Sequence, residues 1–308
     1  MAQRIGRDSS GVFIIAATPF TDHGEIDHDS LRRLVDFYAG HGVTGLTILG
    51  MMGEANKMTP EERRAVIDTV IDQAAGLPVI VGVSDAGMRN LTDLAAHAMD
   101  RGAAGVMVAP AAGPAREDRI EGYFRAAAQA LGPDVPMVFQ DFPLATGLPV
   151  SAALIRRLSS DLPQMVMLKH EDWPGLSKIT ALRADEKTPG TPRLSILVGN
   201  GGLYLPQELQ RGADGAMTGF AYPEALVQTV ALHRAGQVDA AEDFFDRYLP
   251  ILRHEQQPGF GLAVRKHVLM RRGAIASAAT RAPGPKLGAI DIAEVERLMA
   301  RLETRLAA

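Results

Sequence analysis

Cysteine is absent from this 308-residue sequence. Disulfides, thiolate metal sites and thiol nucleophiles are therefore excluded together, and the absence fits a reducing, cytoplasmic compartment. A basic excess is also lacking. The 32 Lys and Arg against 36 Asp and Glu leave a net charge of −4, which argues against a nucleic-acid partner. No apolar stretch approaches the roughly 18 residues of a membrane span. The opening MAQRIGRDSS lacks the apolar run of a signal peptide, so no membrane partner is expected. The eight histidines are scattered, with no HExxH and no grouping with carboxylates at ligand spacing. No metal is expected, and a metal-dependent aldolase is disfavoured.

What is present is an alternation. Short apolar runs at 12–17, 43–49, 78–83, 105–109, 136–140, 165–169, 195–199 and 215–218 read as strands. Helical periodicity fills the gaps, as at 29–39, 60–75, 91–101 and 117–131. Thr59-Pro60-Glu61-Glu62 places a capping hydroxyl, a proline and two acids at a helix start; 27–30 is a weaker version. The runs are apolar throughout, as buried parallel strands are. Eight strand–helix units predict an α/β fold, a (β/α)8 TIM barrel. The rival is a doubly wound sheet, which the missing GxGxxG after the first strand weakens. A barrel of about 250 residues leaves about 60 over. The segments 223–235, 239–253, 261–272 and 292–307 read as helices, broken at Pro258-Gly259 and Pro283-Gly284-Pro285. The expected division is a catalytic barrel over 1–235 and a C-terminal helical extension over 236–308, packed on it.

Active residues of such barrels gather at the C-terminal ends of the strands. Of six lysines, only Lys169 ends an apolar strand, Met165-Val166-Met167-Leu168. An amine there sheds part of its hydration, which favours the neutral nucleophile that attacks a ketone to form a Schiff base. The other reading is a rim lysine paired with Glu171. If strand geometry persists, Glu171 shares the barrel-facing side with Lys169 and His170 faces the helix layer.

The order Thr18-Pro19-Phe20, Gly-x-x-Gly-Glu at 50–54, Asp141-Phe142-Pro143 with Thr146-Gly147, Leu168-Lys169 with Glu171, and Leu197-Val198-Gly199-Asn200 resembles the dihydrodipicolinate synthase and N-acetylneuraminate lyase superfamily. The resemblance runs over about 10–300. It implies a class I mechanism without a cofactor, in which Lys169 forms a covalent imine with a small 2-oxo acid, pyruvate or a relative of it. It also implies a homotetramer or homodimer.

The sequence departs from the synthases at their proton relay. Two hydroxyl residues of the Gly-x-x-Gly-Glu loop are replaced by Met51 and Met52, the catalytic tyrosine by Gln140, and the arginine before Thr-Gly by Ala145. The tyrosine that a neighbouring subunit lends falls within Ala109-Pro110-Ala111-Ala112. An amide cannot replace a phenol in proton transfer, nor a thioether relay a proton. Gln140-Asp141-x-Pro143, Gly215-Ala216-Met217-Thr218-Gly219, and Leu249-Pro250 with His254-Glu255 are similar to the 2-keto-3-deoxy-pentonate (L-2-keto-3-deoxyarabonate) dehydratases. The implied function is a Schiff-base lyase, with dehydration through a lysine enamine preferred. Pyruvate-dependent aldol cleavage or condensation is second, and a catalytically silent barrel that binds an oxo acid is third.

In this reading Lys169 is the nucleophile, Gln140 bonds the substrate or a water, and Glu171 is either the base or a structural partner of Lys169. Backbone N–H groups of Met51, Met52 and Gly53 are candidates for the carboxylate. Gly199 and Asn200, with Met217 and Thr218 on the eighth strand, are candidates to orient the rest of the substrate. The glycine-rich turn at 199–202 reads alternatively as a phosphate loop or a tight turn. Asp172 is expected to cap a helix, with Trp173 packing at the rim. The basic segment from Arg265-Lys266-His267 to Arg271-Arg272 is expected on a solvated or interface face.

Overall fold

The computed structural model describes residues 3–110, 116–173 and 175–307. Among them the strands are β1 (Gly11–Ile15), β2 (Gly45–Ile48), β3 (Val79–Gly82), β4 (Gly105–Val108), β5 (Met137–Asp141), β6 (Met165–His170), β7 (Ser195–Val198) and β8 (Gly215–Ala216). They pair in parallel and in sequence order, and β8 closes on β1. The fold is the predicted (β/α)8 barrel. Strand β8 is two residues long where four are expected, yet its hydrogen bonding continues. Met217 N–H donates to Val198 at 2.9 Å, and Thr218 accepts from Ile15 at 2.9 Å.

Around the barrel lie α1 (His28–Gly40), α2 (Pro60–Gln73), α3 (Met88–Asp100), α4 (Glu117–Leu131), α5 (Pro143–Thr146), α6 (Ala152–Asp161), α7 (Leu176–Asp185), α8 (Leu205–Gln210) and α9 (Pro223–Arg234). Three more helices follow: α10 (Val238–Glu255), α11 (Gly261–Arg271) and α12 (Ala289–Ala307). Local chemistry explains several boundaries. At α2, Thr59 Oγ1 accepts from Glu62 N–H and the Glu62 carboxylate accepts from Thr59 N–H, a reciprocal cap. At α1, Asp27 accepts from Ser30 N–H. In α4 the buried residues Ile120, Phe124, Ala127 and Ala128 repeat at helical spacing. Phe124 stacks on Phe139 of β5 with ring centroids 4.0 Å apart.

The barrel interior is a separate apolar layer that includes Phe13, Ile15, Ile80, Met107, Val138, Met167, Leu197 and Met217. Ile5 joins this layer from the N-terminal segment, held by its N–H on Ala104 at 3.0 Å. Side chains of a strand alternate faces. Gln140 and Lys169, two residues beyond Val138 and Met167, therefore point into the same interior one layer higher. They are register partners on β5 and β6. The layer below is apolar, so the polar groups collect at one end of the barrel.

Two expectations are corrected. The segment Arg265-Lys266-His267 is buried, not solvated, because each of its side chains meets a carboxylate. Arg265 Nε bonds Glu255 Oε1 at 2.5 Å, Lys266 Nζ bonds Glu54 Oε1 at 2.6 Å, and His267 Nε2 lies 2.8 Å from Glu296 Oε1. Asp172 does not cap α7, which starts only at Leu176. It accepts from Trp173 N–H at 2.7 Å and pairs with Lys178. Trp173 sits at the rim, edge-on to Tyr204. Ala111 and Ala112 lie outside the described residues.

Candidate active site

Lys169 is 3% exposed, and its Nζ lies 2.8 Å from Glu171 Oε2. Glu171 stands one residue past β6, but the strand geometry persists there, since its N–H donates to Asp141 at 2.9 Å. Gln140 Nε2 donates to the same Oε2 at 2.8 Å. An amine, a carboxylate and an amide thus form one buried chain across β5 and β6. His170 turns the other way, its Nε2 3.0 Å from the carbonyl of Gly175 before α7.

Glycine and asparagine after β7 make room for this chain and hold it. A Cβ on Gly199 would lie 2.2 Å from Glu171 Cγ, so the carboxylate lies where any larger residue would stand. Asn200 Nδ2 donates to the Glu171 carbonyl at 3.0 Å. The next N–H, of Gly201, donates to Thr218 Oγ1 at 2.7 Å. Gly202 N–H closes on the Gly199 carbonyl at 2.8 Å, so the donors of the turn Asn200–Gly202 are spent within the protein, as in a tight turn.

Lys169, Glu171, Asn200, Gly201 and Thr218 line a cavity of about 80 Å³, together with Met51, Met52, Phe142, Gly219 and Arg265. A larger cleft of about 750 Å³ shares Met51 with it and is lined by Gln140, Ser84, Asp85, Lys57 and Thr146 among others. The Gln140–Glu171 bond connects the two. Of the candidates, Gly53 and Met217 do not reach the cavity wall. Gly53 is buried, its N–H on Gly50 and its carbonyl accepting from Thr18 Oγ1 at 2.7 Å, so that N–H is not free for a carboxylate. Met217 lies in the apolar interior layer below. Gly199 contributes space for Glu171 rather than a contact of its own.

Glu54 of the Gly-x-x-Gly-Glu loop is also buried and has other partners. It accepts from Lys266 Nζ at 2.6 Å, Lys57 Nζ at 2.7 Å and Arg281 N–H at 3.0 Å, joining the loop after β2 to the C-terminal helices. Burial pushes the Lys266 ammonium down to about 8, against the opposing pull of Glu54. Sequence reasoning missed Arg265 and Gln256 on the cavity wall. Both come from beyond the barrel strands, and nothing local in their sequence marks them.

The chain matches the Dihydrodipicolinate synthetase family over residues 8–302. It is 30% identical over 298 residues to an L-2-keto-3-deoxyarabonate dehydratase of Azospirillum brasilense, covering 95% of this chain and 94% of that one. A crystal structure from Rhodopseudomonas palustris, described as a dihydrodipicolinate synthase, superposes with a TM-score of 0.95 at 48% identity, covering 97% of this chain and all of that one. A prophage protein of E. coli K12 from the same family, solved in complex with pyruvate, gives a TM-score of 0.86 at 25% identity, with 96% and 98% covered.

Proposed function

This chain belongs to the dihydrodipicolinate synthetase family, and we propose that it is a lyase that forms an imine between Lys169 and a 2-oxo acid and eliminates water from a 2-keto-3-deoxy sugar acid. The observation that carries this reading is the buried chain Lys169–Glu171–Gln140. It supplies a nucleophilic amine and a carboxylate, and no phenol. The dehydratase relative, aligned over nearly the whole chain, supports elimination over condensation.

The steps follow from the groups present. Glu171 Oε2 takes a proton from the Lys169 ammonium. The freed Nζ attacks C2 of the substrate, one amine proton moves to the ketone oxygen, and Glu171 returns the proton it took, so that this oxygen leaves as water and the iminium faces a Glu171 carboxylate. The iminium draws electrons from the C3–H bond, whose proton passes to a base, and Glu171 is the carboxylate at hand. The enamine pair then expels the C4 hydroxyl, which takes the proton from Glu171 and leaves as water. Hydrolysis of the conjugated imine restores Lys169 and releases a 3,4-unsaturated 2-oxo acid. In a five-carbon substrate that acid loses a C5 proton and gains one at C3, giving the C4=C5 enol that becomes the semialdehyde. Gln140 holds Glu171 in place, since an amide does not exchange protons at neutral pH.

The Rhodopseudomonas palustris relative favours a second reading, pyruvate-dependent condensation or retro-aldol cleavage, with Gln140 and water replacing the phenol. Incubation with 2-keto-3-deoxy acids separates the two: dehydration yields a semialdehyde, and cleavage releases pyruvate. Borohydride reduction in the presence of pyruvate is expected to add a three-carbon adduct to wild type and none to Lys169→Ala. Trapping without turnover on any oxo acid would point to the silent, binding-only barrel, and adduct on Lys169→Ala would overturn the nucleophile. A homotetramer or homodimer and a cytoplasmic location belong to the same proposal; light scattering tests the first.

A further inference from the structure

The helix α11 sends a cation into the catalytic cavity. Arg265 is 1% exposed and lines the same cavity as Lys169, Glu171 and Thr218. Its Nε is held by Glu255 Oε1 at 2.5 Å, and Glu255 Oε2 is held in turn by Ala221 N–H at 3.1 Å. The guanidinium is therefore fixed from behind. Its Nη1 is enclosed and has no hydrogen-bond partner among the described residues. An unpaired donor inside a protein is costly, and more so on a charged group.

The position of Nη1 is legible from Gly219. A Cβ there would lie 2.0 Å from Nη1 and 3.0 Å from the Ile15 carbonyl. Ile15 and Gly219 are both cavity wall, so Nη1 sits at that wall beside the end of β8. Only a residue without a side chain at 219 admits the guanidinium. Gln256 Nε2 on the same wall is also enclosed without a partner among the described residues, but it carries no charge. The Met51 and Met52 side chains carry no donor, and the N–H groups of Gly53 and Gly201 are spent within the protein.

We propose that Arg265 binds the carboxylate of the 2-oxo acid, anchoring the substrate while its C2 faces Lys169. This rests on the lyase reading for the identity of the ligand. It goes beyond that reading in giving substrate recognition to the C-terminal helices rather than to the loop after β2. The guanidinium fork matches a carboxylate, and its charge is permanent. Glu255 balances the guanidinium, as Glu171 balances Lys169, so the bound carboxylate faces the iminium as its counter-charge.

Three variants test it: Arg265→Lys, the paired Arg265→Gln/Glu255→Gln, which leaves no buried charge alone, and Lys169→Ala. Circular dichroism first establishes that each is folded. Pyruvate and its methyl ester, which lacks the carboxylate charge, serve as ligands. Calorimetry on the Lys169→Ala background reads binding without the imine, and borohydride trapping on the wild-type background reads the imine. Expected is a roughly 10- to 100-fold weaker affinity for pyruvate when either Arg265 change is added to Lys169→Ala. The half-saturating pyruvate concentration for trapping should rise by a similar factor, with the ester unaffected in both. Unchanged pyruvate affinity in both Arg265 variants, or pyruvate and ester bound alike by wild type, would overturn the assignment. Arg265-dependent binding with no trapping in wild type would instead sink the imine while leaving the carboxylate site standing.

Discussion

Glu171 Oε2 lies 2.8 Å from Lys169 Nζ, although Glu171 stands beyond the last residue of β6. The contact exists because the β5–β6 ladder runs one bond further, through Glu171 N–H and the Asp141 carbonyl. The same face of the strand then recurs at 167, 169 and 171. Space for the carboxylate comes from β7, where Gly199 has no side chain to occupy it.

Gly199→Ala should therefore uncouple the pair without unfolding the barrel. The new Cβ would overlap Glu171 Cγ and push the carboxylate off Nζ. A misplacement on the order of 1 Å costs about 100-fold in rate. Turnover on the best oxo acid should fall by about that factor, with the circular dichroism spectrum unchanged. Wild-type turnover would mean that Glu171 is not needed where it stands.

The buried contact between Glu54 and Lys266 predicts a stability effect remote from the chemistry. Glu54→Gln strands the Lys266 ammonium in the interior. Breaking one side of such a pair costs about 3–5 kcal/mol, measurable as a lower urea midpoint. Adding Lys266→Met should recover part of the loss, because the unpaired charge is then gone.

A pH dependence follows from Glu208 in α8. Its Oε2 is enclosed without a partner among the described residues, and burial pushes the carboxyl up to about 8. Between its ordinary value and about 8 the folded chain holds a proton that the unfolded chain has lost. Stability therefore falls as pH rises through that window and levels off above it. Glu208→Gln should flatten this slope in urea titrations from pH 5 to pH 9 and raise stability at the alkaline end by about 1–3 kcal/mol. A slope unchanged in the variant would exclude Glu208 as its source.

The cap of α2 gives a smaller effect. Thr59→Ala removes the acceptor for Glu62 N–H and should lower stability by about 1 kcal/mol. Thr59→Ser should retain most of it, because the hydroxyl remains.

Much of this architecture was legible in the linear order of residues. Apolar runs and helical periodicity predicted eight strand–helix units and the helices after them, and Lys169 stood out as the lysine ending an apolar strand. The pairing of Lys169 with Glu171 followed from an alternation of two along a strand. Less was legible where contacts join distant segments. The run Arg265-Lys266-His267 read as a solvated or interface face because basic side chains are rarely buried without a partner. Its partners Glu255, Glu54 and Glu296 lie 10, 212 and 29 residues away, and no local pattern pairs them. Met217 read as a substrate contact because it lies near the end of the predicted eighth strand, 215–218, but its side chain belongs to the apolar interior layer.

The sequence by itself thus determined the barrel and the strand that carries the amine, because local periodicity and residue chemistry are properties of short segments; the loss of the synthases' hydroxyl and phenol groups came from the resemblance to that family. Only the tertiary structure decided that Gln140 and Lys169 share one carboxylate and that a C-terminal helix places Arg265 at the cavity wall. Those relations depend on register between strands and on two glycines, Gly199 and Gly219, whose missing side chains matter only once the chain has closed around them.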